Sequence, residues 1–420
     1  MYIPYIYAGT EYRYKKIIRS ATNPVVRNRR SAEIRINNRK TTSKMTASVI
    51  RKCTRINPKC LFKRTFSSLS AHCNASSSGS FCSVQRILKK SFVIDIKRQN
   101  LTMKTILGTM EMGRRLDLND SGVMMNEFKD SGNVEIDTAF MYAGGKTEEF
   151  MGKCEVTQNK KIKIATKANP WDGKGLSAKS VRNQLETSLE RLKVKSVHLF
   201  YLHAPDHDTP ITDTLKAVND LHQEGKFEAF GLSNYPAWQV AEICTICKNN
   251  GWIVPTVYQG MYNCLTRQVE KELFPCLRYF GLSFYSYNIL AGGLLSGKHK
   301  FEDANKTEAG RFFGKGWAKA YRDRFWKKDN FECIKNVQTV LDEVYGPGAV
   351  TMAEAAYRWL FHHSCLDSAK GDGVILGASS LAYFRTNLGY IGTAKLDDRV
   401  VEQIENCWTV ASHTCPNYFR

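Results

Sequence analysis

The chain has 420 residues, 43% of them hydrophobic, so it is long enough for one large barrel or two smaller domains. No run approaches the roughly 18 consecutive apolar residues of a membrane-spanning helix, so the sequence predicts no membrane segment. The net charge of +21 would suit a nucleic-acid binder, but residues 1–100 hold 22 of the 61 basic residues and only three acids. The remaining 39 basic and 37 acidic residues nearly balance, which argues against a nucleic-acid-binding domain.

Residues 1–102 are predicted to form a disordered basic extension. This segment is rich in Arg, Lys, Ser and Asn and shows no sustained helical or strand period. The acid-free stretch that begins at Met45 is typical of a mitochondrial transit peptide. The alternatives are a disordered tail, or upstream sequence that is not translated, with Met45 or Met103 as the start of a cytoplasmic protein. The 13 scattered cysteines favour free thiols in a reducing compartment.

Residues 103–420 are predicted to form an α/β domain, a (β/α)8 TIM barrel. Short apolar runs recur there and alternate with amphipathic helical patterns, such as the one over residues 181–192. Eight runs, the first seven about 30 residues apart, are what such a barrel requires. The predicted strands cover residues 105–108, 134–137, 162–166, 197–202, 227–233, 255–259, 282–285 and 374–376.

The main alternative fold is a doubly wound sheet. It would need a G-x-G-x-x-G turn after the first strand, and the segment from Gly108 to Gly113 lacks that spacing. The long interval between the seventh and eighth strands predicts an insertion at the active-site face of the barrel.

Three motifs resemble known binding sites, but each lacks residues that such a site requires. The segment from Gly292 to Lys298 spells G-x-x-x-x-G-K, but His299 stands where a Ser or Thr would bind magnesium. The C-x-x-C at residues 244–247 lacks a second pair, and the histidines at 362–363 lack partners at ligand spacing. We therefore predict no metal site.

Four polar residues lie at or just after the ends of three consecutive strands. Asp137 ends the second strand and precedes Tyr142 by five residues, whereas Lys167 and His203 end the third and fourth. Singly, each is more often a surface ion pair or a structural histidine, but strand ends of a barrel converge. A nearby ammonium lowers the pKa of a tyrosine, a carboxylate can hold that ammonium, and an imidazole can orient a carbonyl oxygen. The set predicts a proton donor to a carbonyl oxygen that accepts hydride at its carbon.

Longer motifs carry a specific resemblance. The segments 135–140 (EIDTAF), 201–206 (YLHAPD) and 231–235 (GLSNY) resemble the aldo-keto reductase superfamily, and more narrowly its aflatoxin-aldehyde and succinic-semialdehyde reductases. The match covers nearly all of residues 104–420 and none of residues 1–100. It implies NADPH-dependent reduction of aldehydes and ketones, with Asp137, Tyr142, Lys167 and His203 as the catalytic tetrad. Succinic semialdehyde, aflatoxin dialdehyde and other reactive carbonyls are the implied substrates, and a homodimer is the implied assembly.

The resemblance also implies binding roles for further residues. Ser233, Asn234 and Gln259 would hold the nicotinamide and its carboxamide. The pyrophosphate would lie along Asn288, Leu290, Gly292, Gly293, Leu294, Ser296 and Lys298. Arg311, Ser379, Ser380 and Asn387 would hold the adenine end, including the extra phosphate of NADPH. His203, Tyr321, Arg324 and Arg420 would face the substrate.

Two other function classes remain open. The first is an NADPH-binding regulatory subunit, similar to the potassium-channel β-subunits that resemble this superfamily, because fold alone does not fix function. The paired guanidinium groups of Arg324 and Arg420 favour the enzyme, since they suit a carboxylated aldehyde. The second is a basic adaptor for RNA or anionic membranes, which requires residues 1–102 to persist in the mature protein.

Overall fold

The computed structural model describes residues 103–171, 173–305, 310–314 and 317–420. Within them, eight parallel strands form a closed barrel in which each strand pairs with its neighbours in sequence. The prediction of a (β/α)8 barrel is confirmed. The predicted extension and its transit peptide lie outside the described residues, so both stay predictions.

The strands and helices alternate through most of the chain. The strands are β1 (Lys104–Gly108), β2 (Glu135–Asp137), β3 (Lys163–Ala168), β4 (Val197–Leu202), β5 (Phe227–Ser233), β6 (Val257–Met261), β7 (Ser283–Tyr287) and β8 (Gly373–Gly377). The helices up to β7 are α1 (Leu118–Asp130), α2 (Lys146–Lys153), α3 (Ala178–Leu192), α4 (Ile211–Gln223), α5 (Ala237–Asn250) and α6 (Leu273–Phe280). The later helices are α7 (Ala318–Phe325), α8 (Lys328–Tyr345), α9 (Met352–His362), α10 (Leu381–Gly389) and α11 (Asp398–Ala411).

Two apolar cores hold the barrel together. A large one lies between the strands and the surrounding helices. A small one fills the barrel interior and consists of Ile106, Ala165, Leu199, Tyr201, Val257, Tyr285 and Ile375. Gly231 on β5 makes room for the buried Tyr201, because a Cβ at that glycine would lie 2.4 Å from the tyrosine ring. The interior is therefore packed with side chains and is not a channel.

The predicted insertion between β7 and β8 contains helices α7, α8 and α9. Helix α8 packs against α11, where Cys333 and Cys407 each point a free thiol at the other's backbone carbonyl, 3.6 and 3.5 Å away. Across the described ranges, no helix combines the length and the apolar character needed to cross a bilayer.

The C-terminal segment after α11 folds back across the barrel mouth. Tyr418 donates a hydrogen bond to Glu272 at 2.5 Å and accepts one from the backbone N–H of Ala237 at 3.0 Å. The backbone N–H of Arg420 donates to the carbonyl of Asn234 at 3.1 Å, just beyond β5. These contacts place the last side chain beside the carboxyl ends of the strands.

Candidate active site

A buried ion pair between Asp137 and Lys167 lies at the carboxyl end of the barrel. Nζ of Lys167 lies 2.6 Å from Oδ2 of Asp137 and donates a second hydrogen bond to the Thr138 carbonyl at 2.6 Å. Nε2 of Gln259 donates to the other carboxylate oxygen at 2.8 Å. Burial raises the pKa of Asp137 and lowers that of Lys167, and their mutual attraction opposes both shifts. Every charged atom of the pair therefore has a partner.

Tyr142 lies next to this pair in a sharp turn that follows β2. The centroid of its ring is 5.1 Å from Nζ of Lys167 and 5.9 Å from the ring centroid of His203. Ala143 and the two glycines after it have left-handed backbone angles, with φ of 50°, 66° and 97°. A left-handed alanine costs about 1–3 kcal/mol, so the surrounding contacts must hold this turn in place.

The pKa of Tyr142 differs from the sequence prediction. We expected Lys167 to lower it, but the structure raises it well above the ordinary value, because burial disfavours the phenolate and the Asp137 carboxylate lies nearby. The ammonium directs its two short hydrogen bonds to Asp137 and Thr138, which compensate its charge. The phenol consequently keeps its proton at neutral pH, which is the form that a proton donor needs.

His203 lies beside Tyr142 and is nearly buried. Its ring packs edge-on against Trp171, with centroids 5.2 Å apart, and its Nδ1 has no hydrogen-bond partner among the described residues. Burial and the positive charges of Lys167 and Arg420 hold the pKa of His203 well below its usual range. The imidazole is therefore neutral at pH 7, and its Nδ1 is buried without a partner among the described residues.

The three residues predicted at the nicotinamide lie at the end of β5 and within β6. Ser233 and Gln259 are paired in the strand register, and Gln259 also contacts the Asp137 carboxylate. Nδ2 of Asn234 donates to the His203 carbonyl at 2.8 Å, and its Oδ1 accepts from the Tyr287 hydroxyl at 2.7 Å. The Gln259 amide thus adjoins the ion pair, and Nδ2 of Asn234 also lies 3.0 Å from the Ser233 hydroxyl oxygen.

The predicted pyrophosphate segment forms a tight loop after β7. Asn288 and Ala291 have φ of 66° and 49°, and Gly292 and Gly293 have φ of 73° and 105°. Repeated left-handed residues can turn backbone N–H groups toward one side, which suits an anion. Nδ2 of Asn288 is buried without a partner among the described residues. Within the loop, Leu294 is buried, Leu290 is half-buried, and Ser296 donates to the Gly293 carbonyl at 2.7 Å.

The end of this loop meets the first turn of α10. Nζ of Lys298 donates to the Tyr383 hydroxyl at 2.8 Å. Ser380 caps α10 by accepting from the backbone N–H of Tyr383, and it follows Ser379 directly after β8. Asn387 is buried on the same helix. A helix N-terminus beside a lysine favours a phosphate group, as in many barrels after strands seven and eight.

Arg311 lies away from this group. Its guanidinium pairs with Glu111 and lies 4.9 Å from the centroid of the Tyr321 ring, beside the predicted substrate residues. The structure therefore brings Lys298 to the α10 terminus but not Arg311, whose adenine role stays a prediction.

The predicted substrate residues come together at the barrel mouth. The Arg420 guanidinium lies 5.4 Å from the centroid of the Trp171 ring and 5.8 Å from that of Trp317. Arg324 lies 5.9 Å from the Tyr321 ring, and burial together with the charge of Arg420 lowers its pKa. Two cations that repel each other across one pocket favour an anionic ligand.

Sequence analysis missed the two tryptophans at this mouth. Trp171 and Trp317 are 42% and 37% exposed, and their rings lie on the Arg420 guanidinium. Both residues lie in predicted loops at the active-site face. That placement was the available signal, since loops of a barrel build its binding site.

A family profile and several similar proteins point to the same protein family. The profile of the Aldo/keto reductase family matches residues 104–409. Aflatoxin B1 aldehyde reductase member 2 of Mus musculus is 56% identical over 320 residues, which cover 75% of this chain and 87% of that protein. Aflatoxin B1 aldehyde reductase member 4 of Homo sapiens is 55% identical over 319 residues, covering 75% and 96%. Human aldo-keto reductase family 7 member A3 is 54% identical over 320 residues, covering 75% and 97%.

The neutral, buried state of His203 predicts a pH dependence of stability. Because its folded-state pKa lies below the unfolded value of about 6.5, the unfolded state binds the proton first as pH falls. The contribution of His203 to the free energy of unfolding is fully present above pH 6.5. It is lost as the pH falls below about 6.5, at up to about 1.4 kcal/mol per pH unit. Urea unfolding at pH 7.5, 6.0 and 5.0 should show this slope in the wild type and a shallower one in His203→Asn.

The matched control is His207→Asn, which changes an exposed histidine of the same loop. It should retain the wild-type slope. Equal slopes in the wild type and in His203→Asn would show that His203 does not titrate in this way.

Proposed function

The chain belongs to the aldo/keto reductase family, and we propose that it reduces aldehydes and ketones to alcohols with NADPH. Membership of the family makes it an oxidoreductase that acts on small-molecule carbonyl compounds. The observation that carries the proposal is the buried Asp137–Lys167 pair beside Tyr142, with His203 next to it. The regulatory alternative does not require such a set of proton-transfer groups.

The residues at the barrel mouth fit a nicotinamide dinucleotide, and the family generally uses NAD(P)H. Ser233, Asn234 and Gln259 supply polar groups for the nicotinamide amide, and Asn288 has a buried amide without a partner. Lys298 and the N-terminus of α10 suit a phosphate, which supports NADPH as the cofactor. When bound, the nicotinamide supplies the hydride that reaches the carbonyl carbon.

This chain's own residues then handle the carbonyl oxygen. A ring N–H of the neutral His203 hydrogen-bonds to that oxygen and orients it. The Tyr142 hydroxyl transfers its proton to the oxygen as the carbon accepts hydride, so the product is the alcohol. Burial and the nearby Asp137 carboxylate disfavour the phenolate left on Tyr142, so it regains a proton from water once the alcohol has formed.

The substrate class follows from the charge at the mouth. Arg324 and Arg420 present two guanidinium groups, which recognise a carboxylate by paired hydrogen bonds. We therefore propose carboxylated aldehydes such as succinic semialdehyde as substrates. The relatives' names support reactive aldehydes related to aflatoxin B1 as a second group. The exposed tryptophan rings would pack against such planar molecules.

The proposals on localisation and assembly rest on composition and on resemblance to the family, not on the geometry of the site. We propose that residues 45–103 direct the protein to mitochondria, because this stretch is basic, rich in serine and nearly free of acids. We also propose a homodimer, by resemblance to the family.

The proton donor can be tested by Tyr142→Phe, which removes only the hydroxyl. We expect turnover with an uncharged aldehyde such as a nitrobenzaldehyde to fall at least about 100-fold, while the affinity for NADPH is unchanged. Stopped-flow turnover and cofactor titration by tryptophan fluorescence would measure the two effects. Tyr279→Phe, on the exposed face of α6, is the control. Near-normal turnover in Tyr142→Phe would exclude this donor, and a wild type that binds NADPH but reduces no aldehyde would favour the regulatory alternative.

The carboxylate site can be tested by Arg324→Met and Arg420→Met. A bidentate contact of a guanidinium with a carboxylate contributes about 1.5–3 kcal/mol, so KM for succinic semialdehyde should rise roughly 10- to 100-fold. KM for a nitrobenzaldehyde and kcat for both substrates should change little if the contact is equal in ground and transition states. Arg399→Met, an exposed arginine of α11, serves as the control. Equal losses for both substrates would contradict a carboxylate site.

The targeting proposal predicts that residues 45–103, fused to a fluorescent reporter, carry it into mitochondria. The mature N-terminus, mapped by mass spectrometry, should then lie between Met45 and Met103. The matched control fusion replaces the basic residues of this stretch by glutamine and should stay in the cytosol, because import depends on positive charge. A diffuse cytosolic signal from the unmodified fusion would favour the cytoplasmic alternative.

A further inference from the structure

A second buried ionic group lies next to the catalytic residues and has no part in the chemistry described above. It consists of Glu148 on α2, Arg191 on α3 and Thr166 on β3. Nη1 of Arg191 lies 3.3 Å from Oε2 of Glu148, and the Thr166 hydroxyl donates to Oε1 of Glu148 at 2.6 Å. Glu148 and Thr166 are completely buried, so this carboxylate has been removed from water next to the site. Burying a carboxylate is unfavourable unless its partners compensate the charge.

Arg191 makes a direct contact with the turn that carries Tyr142. Its Nη1 donates to the carbonyl of Phe140 at 2.9 Å, and its guanidinium lies 4.6 Å from the centroid of the Phe140 ring. Phe140 precedes Tyr142 by two residues, and its N–H donates to the Lys167 carbonyl at 3.2 Å. One residue of the turn is therefore bound on one side by Arg191 and on the other by the backbone of Lys167.

Glu148 connects the same arginine to the strand that carries Lys167. Glu148 accepts a hydrogen bond from the hydroxyl of Thr166, which directly precedes Lys167. Ser188 on α3 is a further hydrogen-bond partner of Glu148. The group thus joins both halves of the proton-donating unit, namely the turn with Tyr142 and the strand end with Lys167.

The local packing leaves the guanidinium little freedom. Gly145 ends the turn with φ of 97°, and a Cβ built on it would lie 2.4 Å from Cζ of Arg191. On α2, a Cβ at Gly152 would lie 2.0 Å from the Arg191 carbonyl oxygen. Two glycines therefore allow close approach to Arg191, the turn to its guanidinium and α2 to its backbone.

We propose that Arg191 and Glu148 are positioning residues that hold the Tyr142 turn at a fixed distance from Lys167. The inference rests on the proposed function, because it assigns these residues to the orientation of that proton donor. Neither side chain contacts the reacting atoms. Their effect comes through the Phe140 carbonyl and the Thr166 hydroxyl, and through the left-handed Ala143, which needs outside contacts to keep its conformation.

Loss of this restraint should slow the chemical step and leave binding intact. A proton donor that is misplaced by about 1 Å can lose on the order of 100-fold in rate. The cofactor residues on β5, β6 and α10 and the substrate residues at the mouth do not depend on the Arg191 contacts. The expected signature is therefore a fall in kcat with little change in KM.

The test uses the full-length protein and the variants Arg191→Met, Arg191→Lys and Thr166→Val, with an uncharged aldehyde as substrate. We expect kcat to fall about 10- to 100-fold in Arg191→Met, with KM and the Kd for NADPH within about twofold of the wild type. The isotope effect with deuterated NADPH should rise, because hydride and proton transfer become slower relative to product release. Arg191→Lys keeps the charge but not the planar guanidinium, so its kcat should lie between those of the wild type and Arg191→Met.

Arg182→Met is the matched control, because Arg182 lies on the same helix but forms only exposed ion pairs with Glu186 and Glu224. Its kcat should equal that of the wild type. If Arg191→Met does not fold, Thr166→Val removes a single hydroxyl from the same group and should lower kcat in the same direction, by a smaller factor.

Hydrogen exchange gives a readout that needs no turnover. Peptides that cover residues 138–146 should exchange faster in Arg191→Met than in the wild type, and at the wild-type rate in Arg182→Met. A kcat for Arg191→Met within twofold of the control, with only a lower melting temperature, would overturn the inference and leave the proposed function standing. A wild type without reductase activity would instead overturn the proposed function, and exchange would still decide whether Arg191 holds the turn.

Discussion

The buried ion pair of Lys167 and Asp137 is the interaction on which the rest of the site depends. Removing two charges from water costs several kcal/mol for each ion, and only a complete set of partners offsets it. Here the Thr138 carbonyl and the Gln259 amide supply the remaining partners. These groups come from β2, β3, β6 and the turn after β2, so the barrel must close before the pair can form. Loss of either ion would leave the other buried and unpaired.

The residues proposed to contact the substrate lie outside the barrel strands. The insertion after β7 supplies Arg324 and Trp317, and the C-terminal segment supplies Arg420, anchored by the contacts of Tyr418 and its own backbone. These residues meet only because both segments fold back over the strand ends. Asp137, Lys167 and His203 lie on or directly after β2, β3 and β4, where the sheet fixes them, whereas Tyr142 lies in the turn after β2. Most groups of the proposed proton transfer thus lie on strands, and the residues proposed to bind the substrate lie on loops.

The sequence predicted most of the barrel and the core of the site. Apolar runs located every strand to within a few residues, and strand ends placed Asp137, Lys167 and His203 together. Contacts between helices and turns were not predictable, because the Arg191–Glu148 group depends on how closely α2 approaches α3. The pKa of Tyr142 was predicted in the wrong direction, since sequence shows a neighbouring charge but not the extent of burial. The position of Arg311 beside Glu111 also depends on loop conformation that spacing does not reveal.

The hydrogen bond from Gln259 to Asp137 joins β6 to β2 across the barrel mouth. Together with Lys167, it forms a polar floor above the apolar barrel interior. The loops at the barrel mouth and the C-terminal segment form the walls above this floor. Insertions or substitutions in those walls can widen, narrow or recharge the pocket while the floor keeps its geometry.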